Sequence, residues 1–191
     1  MGVEATPSFK APSVNGFYEY LLVAYPDKAL YAQILEGVSP MPDVATLKSR
    51  LSFTVAGFEA KEAMESTLIR WMHRIISNQN SFTVKLTPYR GPALQTLYLQ
   101  AQQPAAFEQL AREMQVVDQY LQSNNCPALY VNKNPQLVIA RDLPDPHYQE
   151  AMPQLEKQNV SASFIVHELV LLRRQHRFDA CKQVNVFGLR P

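Results

Sequence analysis

The sequence has few cysteines and no long run of apolar residues. Its two cysteines, Cys126 and Cys181, lack the paired spacing or nearby histidines of a metal site, so we expect free, partly buried thiols in a reducing cytoplasm. The longest apolar stretches, at 20–25 and 169–172, are too short to cross a bilayer, which argues against a membrane protein. No basic and apolar series typical of a secretory signal opens the chain, and a cytoplasmic protein is predicted.

The chain also has almost no net charge. Its 18 lysines and arginines balance 17 aspartates and glutamates, which leaves a formal charge of +1. A protein that neutralises phosphates along an extended nucleic acid normally carries a clear basic excess, so extended nucleic-acid binding is not expected. A small phosphate pocket would not register in this total. Hydrophobic residues make up 47% and charged residues 18% of the 191, which is typical of a globular chain with a substantial core.

Hydrophobic spacing predicts alternating strands and helices after an irregular segment over residues 1–16. Stretches rich in β-branched and aromatic residues predict strands at 17–25, 51–58, 81–89, 94–101, 137–140, 162–172 and 181–189. Helical spacing predicts helices at 26–35, 59–77, 104–122 and 147–158, the first of them beginning at Pro26. A turn separates the strands at 81–89 and 94–101, which favours an antiparallel pair.

The order strand, helix, strand, helix, strand occurs twice, at 17–89 and again at 94–172. The sequence SFTV at 81–84 corresponds to SFIV at 163–166, and SFTVA at 52–56 corresponds to QLVIA at 136–140. The two correspondences have nearly the same offset along the chain. Similar offsets within the same element order indicate an internal duplication. We therefore predict a single bilobal domain over 17–191, closed by the strand at 181–189.

This duplication, with a short strand motif in the middle of each half, resembles the two-histidine phosphoesterase superfamily of 2'-5' RNA ligases and cyclic phosphodiesterases. The resemblance is carried by SFTVAGF at 52–58, PQLVIAR at 135–141, and the tail at 164–189, which contains LLR and VFGL. It implies an α+β fold of two pseudo-symmetric lobes, each a mainly antiparallel sheet with outer helices. It also implies a cleft between the lobes, into which both motifs project.

In that superfamily each motif is a histidine followed two residues later by threonine or serine, and this spacing puts both side chains on one strand face. Here Ser52 and Gln136 stand at the histidine positions. Thr54 keeps the first hydroxyl, and Val138 replaces the second. Serine and glutamine cannot exchange protons near neutral pH as histidine does. The degenerate motif predicts a chain without catalytic residues, in which Ser52, Thr54 and Gln136 line a ligand site.

Two arginines are candidates for phosphate binding at the edge of that cleft. Arg141 follows the second motif strand, and Arg173 opens the basic stretch RRQHR at 173–177. Both are candidates because the guanidinium group of arginine can donate two parallel hydrogen bonds to phosphate oxygens. The stretch at 173–177 is also typical of a solvated hairpin loop between two strands.

Three functions remain open on the sequence. The favoured one is a non-catalytic relative that binds a small phosphate or nucleotide ligand in its cleft. An active phosphodiesterase with relocated groups such as His167 or His176 is the enzyme alternative, and a protein-interaction scaffold is the third. None of the four histidines, which also include His73 and His147, has a partner at metal-binding spacing. No metal and no cofactor is predicted.

Overall fold

The structure is a computed structural model that describes residues 16–38, 51–89, 95–102, 105–140, 143–157, 162–176 and 179–191. Most of the predicted irregular segment 1–16 lies outside these ranges. No helix in the described part of the chain is long and apolar enough to cross a bilayer. Both cysteines are free, with Cys126 buried and Cys181 exposed. The cytoplasmic location stays a prediction.

Nine strands and five α-helices lie in the described ranges. The strands are β1 (Phe17–Ala24), β2 (Phe53–Lys61), β3 (Phe82–Tyr89), β4 (Leu97–Gln102), β5 (Tyr130–Val131), β6 (Gln136–Ala140), β7 (Ala162–Val166), β8 (Glu168–Arg174) and β9 (Lys182–Gly188). The helices are α1 (Lys28–Val38), α2 (Glu65–Ile76), α3 (Ala105–Glu113), α4 (Gln115–Ser123) and α5 (Asp145–Lys157). A 3₁₀ turn, Glu62–Met64, leads into α2.

The predicted helices differ from the structure in their bounds. The helix predicted at 59–77 begins only at Glu65, because β2 continues to Lys61 and a 3₁₀ turn precedes the helix. The helix predicted at 147–158 spans Asp145–Lys157.

The first helix begins at Lys28 and not at Pro26, because the Asp27 carboxylate accepts a hydrogen bond from the Leu30 amide at 2.7 Å and caps the helix there. The helix predicted at 104–122 is divided at Met114 into α3 and α4. Met114 is fully buried, so one apolar stripe continues across the break and the division has no signal in the hydrophobic pattern.

The strands form two antiparallel sheets. The first has the order β5-β2-β1-β8-β9 and the second the order β6-β4-β3-β7. The strand predicted at 162–172 is in fact two strands separated at His167, with β7 in the second sheet and β8 in the first. The predicted antiparallel pairing of the strands at 81–89 and 94–101 is confirmed by β3 and β4. The predicted α+β class with two lobes, each an antiparallel sheet with helices, is confirmed.

The two sheets do not coincide with the two sequence segments 17–89 and 94–172. The last strand of the first segment, β3, pairs with β4 of the second segment, and β8 from the second segment pairs with β1. The first segment therefore contributes β3 to the second sheet, and the second segment contributes β5 and β8 to the first. The β3–β4 pairing has a local cause, since consecutive strands joined by a short connection usually become neighbours.

The core lies on one face of each sheet, where the helices pack. In the first sheet this face carries Tyr20 and Phe58, whose rings stack with centroids 5.0 Å apart. The second sheet joins the same cluster through Phe164, whose ring is 5.6 Å from that of Phe53 on β2. The helices complete the cluster with fully buried residues such as Met72 on α2. The opposite faces of the two sheets carry the predicted motif residues.

Candidate functional site on the two motif strands

Each motif strand contains a β-bulge at the same place in its motif. In the first sheet Leu22 pairs with Ala56 and Val23 with Thr54, so Val55 is left without a partner on β1. In the second sheet Leu97 pairs with Ala140 and Tyr98 with Val138, so Ile139 is left without a partner on β4. The two bulged residues are separated by the same offset as the two motifs in the sequence. Bulges re-aim neighbouring side chains, and here both occur directly after the second motif position.

We call the sheet faces opposite the helices the motif faces. The motif face of the first sheet carries Thr54, Val23 and Val170, which are cross-strand neighbours on β2, β1 and β8. The motif face of the second sheet carries Val138 and its cross-strand neighbour Tyr98. Val23, Val170 and Tyr98 are buried, yet they are not part of the main core cluster. The motif residues therefore have apolar, shielded neighbours on both sheets.

The four motif residues differ in how they are held. Ser52 precedes β2, Thr54 lies within β2, and Gln136 and Val138 lie on β6. All four are half-buried. Asn132 fixes the first motif strand, because its side-chain amide donates to the Thr54 carbonyl at 3.1 Å and its backbone amide donates to the Val55 carbonyl at 2.8 Å. A polar group thus stands at three of the four positions, and none of them is titratable near neutral pH.

A charged cluster that the sequence did not reveal lies farther along the first motif face. Glu19 is directly opposite Glu59 on β2 and opposite Arg174 on β8, and Arg174 donates to the Glu19 carboxylate. Burial, followed by the repulsion of Glu19, raises the pKa of the Glu59 carboxyl. Period-two spacing from Val23 puts Glu19 on this face, but its pairing with Arg174 depends on a contact between distant parts of the chain.

Arg173, predicted at the rim of the ligand site, lies on the other face of the first sheet. It pairs with Tyr20, which belongs to the core face, whereas Thr54 is on the motif face. The Arg173 guanidinium donates to Glu62 at 2.9 Å and to Glu65 at 2.7 Å, and it lies 4.5 Å from the centroid of the Tyr18 ring. The structure therefore does not bring Arg173 together with the motif residues.

The contacts of Arg173 also shape the ionisation of a buried tyrosine. The Tyr20 hydroxyl donates to Glu65 at 3.0 Å, and burial together with the Glu65 charge raises the pKa of this phenol. Arg173 balances the charge of Glu65 in this partly buried network. Its position indicates a role in joining β8 to the start of α2.

We expect Arg173→Ala to lower the free energy of unfolding by about 1–3 kcal/mol, because it leaves the partly buried Glu65 carboxylate without its cation. Urea unfolding followed by circular dichroism measures this loss. Arg112→Ala, an exposed arginine on α3, is the matched control and should change stability by less than about 0.5 kcal/mol. Equal stability of the two variants would show that the network contributes nothing.

The other predicted groups are scattered. Arg141 lies outside the described residues. His73 is on α2 with its ring 6.1 Å from that of Phe187, and His147 is in the first turn of α5. His167 and His176 flank the two ends of β8. No histidine of the described chain lies on β2 or β6.

A surface cavity of about 420 Å³ lies away from the motifs. Its lining includes Glu108 and Arg112 on α3, together with Leu129 and Lys133 on either side of β5. None of the four motif residues contributes to it. The volume of a cavity therefore does not identify the motif faces as the candidate site. The two bulged strands identify them.

Sequence comparisons with family models and with curated proteins find no match. Comparison with solved structures finds several matches. A phosphate complex of E. coli LigT superimposes with a TM-score of 0.60 and 17% identity, covering 92% of this chain and 99% of that one. Complexes of the same protein with 3'-AMP and with ATP also match.

Two further structures give the same result. A phosphoesterase matches with a TM-score of 0.63 and 16% identity, over 91% of this chain and 99% of its own. The protein TT0787 of Thermus thermophilus matches with a TM-score of 0.61 and 13% identity, over 90% of this chain and 98% of its own. These identities establish shared architecture and nothing finer. The chain has the fold of LigT, and its predicted likeness to the two-histidine phosphoesterase superfamily is confirmed at the level of that fold.

Proposed function

We propose that this protein is a non-catalytic LigT-like protein that binds a small phosphate or nucleotide ligand between its motif faces. The observation that carries the proposal is the equivalent placement of the two motifs, each beside a bulge, combined with the absence of histidine from both. The complexes of E. coli LigT with phosphate, 3'-AMP and ATP support the ligand class. Hydroxyl and amide groups at Ser52, Thr54 and Gln136 can hydrogen-bond to phosphate without transferring protons.

The enzyme alternative requires two proton-transfer groups on either side of one phosphate. His167 and His176 are separated by the whole of β8, a strand length of about 23 Å. A single cyclic phosphate cannot contact both. This separation favours the non-catalytic proposal over a relocated pair of histidines.

Removing the polar groups of the motifs is expected to weaken ligand binding. Calorimetry with 3'-AMP should detect binding to the wild-type protein, and Thr54→Val combined with Gln136→Leu should weaken it by at least about tenfold, since hydrogen bonds to a charged group each contribute about 1.5–3 kcal/mol. Valine and leucine match the replaced side chains in shape, so the sheets should be retained.

Thr83→Val is the matched control, because Thr83 is an exposed strand residue on β3, opposite Ile165 and remote from the bulges. It should leave the affinity unchanged. Wild-type protein that binds no mononucleotide at millimolar concentration would remove the ligand proposal and leave the fold assignment intact. Arg173→Ala should also retain affinity, because its side chain lies on the core face.

A further inference from the structure

A stripe of four residues on α2 combines an aromatic ring with two cations. Thr67, Arg70, Trp71 and Arg74 line a surface depression of about 290 Å³. They are spaced three and four residues apart, so they follow one side of the helix. The buried residues Leu68, Met72 and Ile76 occupy the other side. We call this set the α2 stripe.

Both arginines of the stripe are exposed and have no acidic partner in the described part of the chain. Arg70 has one weak contact, from its guanidinium to the Thr67 hydroxyl at 3.3 Å. Trp71 is half-buried, because it packs partly against the core and leaves the rest of its ring at the depression. The stripe thus presents two uncompensated positive charges beside an accessible aromatic ring.

A third cation extends the positive charge beyond the end of α2. The Arg190 guanidinium donates to the Ser77 carbonyl at 3.1 Å and to the Asn78 side-chain oxygen at 2.6 Å. The Asn78 amide in turn donates to the Arg74 carbonyl at 2.8 Å. The acidic residues Glu62 and Glu65 lie at the opposite end of the helix and contact Arg173. The C-terminal half of α2 is therefore locally cationic, although the whole chain is almost neutral.

We propose that the α2 stripe binds a short stretch of single-stranded nucleic acid, with one base against Trp71 and successive phosphates on Arg70 and Arg74. Single-strand sites combine a cationic track with aromatic rings on which bases stack. The two arginines are one helical turn apart, about 6 Å along the axis, so two neighbouring phosphates of a flexible strand can reach them. An acidic peptide would satisfy the charges but would leave the aromatic ring without a stacking partner.

This surface is separate from the motif faces, since α2 packs on the core face of the first sheet. It also involves only two or three phosphates, which agrees with the near-zero net charge of the chain. The proposal does not depend on the mononucleotide site and is tested independently of it.

Trp71 is the only tryptophan in the sequence, so its fluorescence reports on the stripe directly. Titration with a single-stranded oligouridylate at low salt should change the Trp71 emission. Arg70→Ala with Arg74→Ala should weaken binding at least about tenfold, measured by anisotropy of a labelled strand. The dependence of log affinity on log salt should become shallower by about 1.4, the value for two phosphate contacts on a single strand.

The matched control is Arg112→Ala with Lys133→Ala, which removes two exposed cations from the cavity beside α3 and should retain affinity and salt dependence. Unchanged Trp71 emission on titration, or equal affinity of the Arg70→Ala, Arg74→Ala variant, would overturn the proposal. Inorganic polyphosphate that competes as strongly as the oligonucleotide would also overturn it, because the base would then be unnecessary.

Discussion

Wild-type protein incubated with a 2',3'-cyclic nucleotide in the presence of a metal chelator is expected to turn over at least about 10⁴-fold more slowly than a two-histidine member of the superfamily. The reason is that each general acid or base contributes about 10²–10⁴ in rate, and both positions lack one. Ser52 and Gln136 stand at these positions on or beside the bulged strands. Product formation followed by chromatography measures the rate.

His167→Ala and His176→Ala are the informative controls for this assay. Robust wild-type turnover that is lost in either variant would show that catalysis has moved to a new position and that the non-catalytic proposal is wrong. The substitutions Ser52→His, Gln136→His and Val138→Thr together restore the four-residue set. Any activity gained by that triple variant would support the equivalence of the two bulged strands, although productive geometry must hold to within about 0.5 Å.

Phe53→Ala is expected to be the most destabilising of the substitutions considered, with a loss of about 3–5 kcal/mol in the free energy of unfolding. Phe53 is fully buried, and its ring stacks on Phe164 of the second sheet. Removing it leaves a cavity where the two sheets share one core. The midpoint of thermal unfolding should fall by about 10 °C for a chain of this size.

Ile165→Ala is the matched control for Phe53→Ala. Ile165 follows Phe164 on β7, but its side chain is 48% exposed, so its truncation should cost less than about 1 kcal/mol. Differential scanning calorimetry on both variants gives the comparison. A Phe53→Ala protein as stable as Ile165→Ala would show that the two sheets do not depend on this contact.

Local sequence patterns were sufficient for most of the secondary structure and for the α+β class. The buried stripe of α2 and the alternation along β6 are periodic signals that a helix and a strand impose on their own residues. The offset between the two motifs also has a structural counterpart, because Val55 and Ile139 are both bulged. Ser52, Thr54, Gln136 and Val138 were identified as motif residues from this pattern and from family resemblance.

The pairing of distant strands was decided only by the tertiary structure. The hydrophobic pattern predicts one strand at 162–172. In the structure His167 separates β7 from β8, and these two strands belong to different sheets. Adjacent residues of a strand point to opposite faces, so Arg173 faces the helices and Arg174 faces Glu19. The sequence alone does not show which of the two arginines faces the helices. The strand register decides this, and it is set by cross-strand packing and not by the chemistry of either residue.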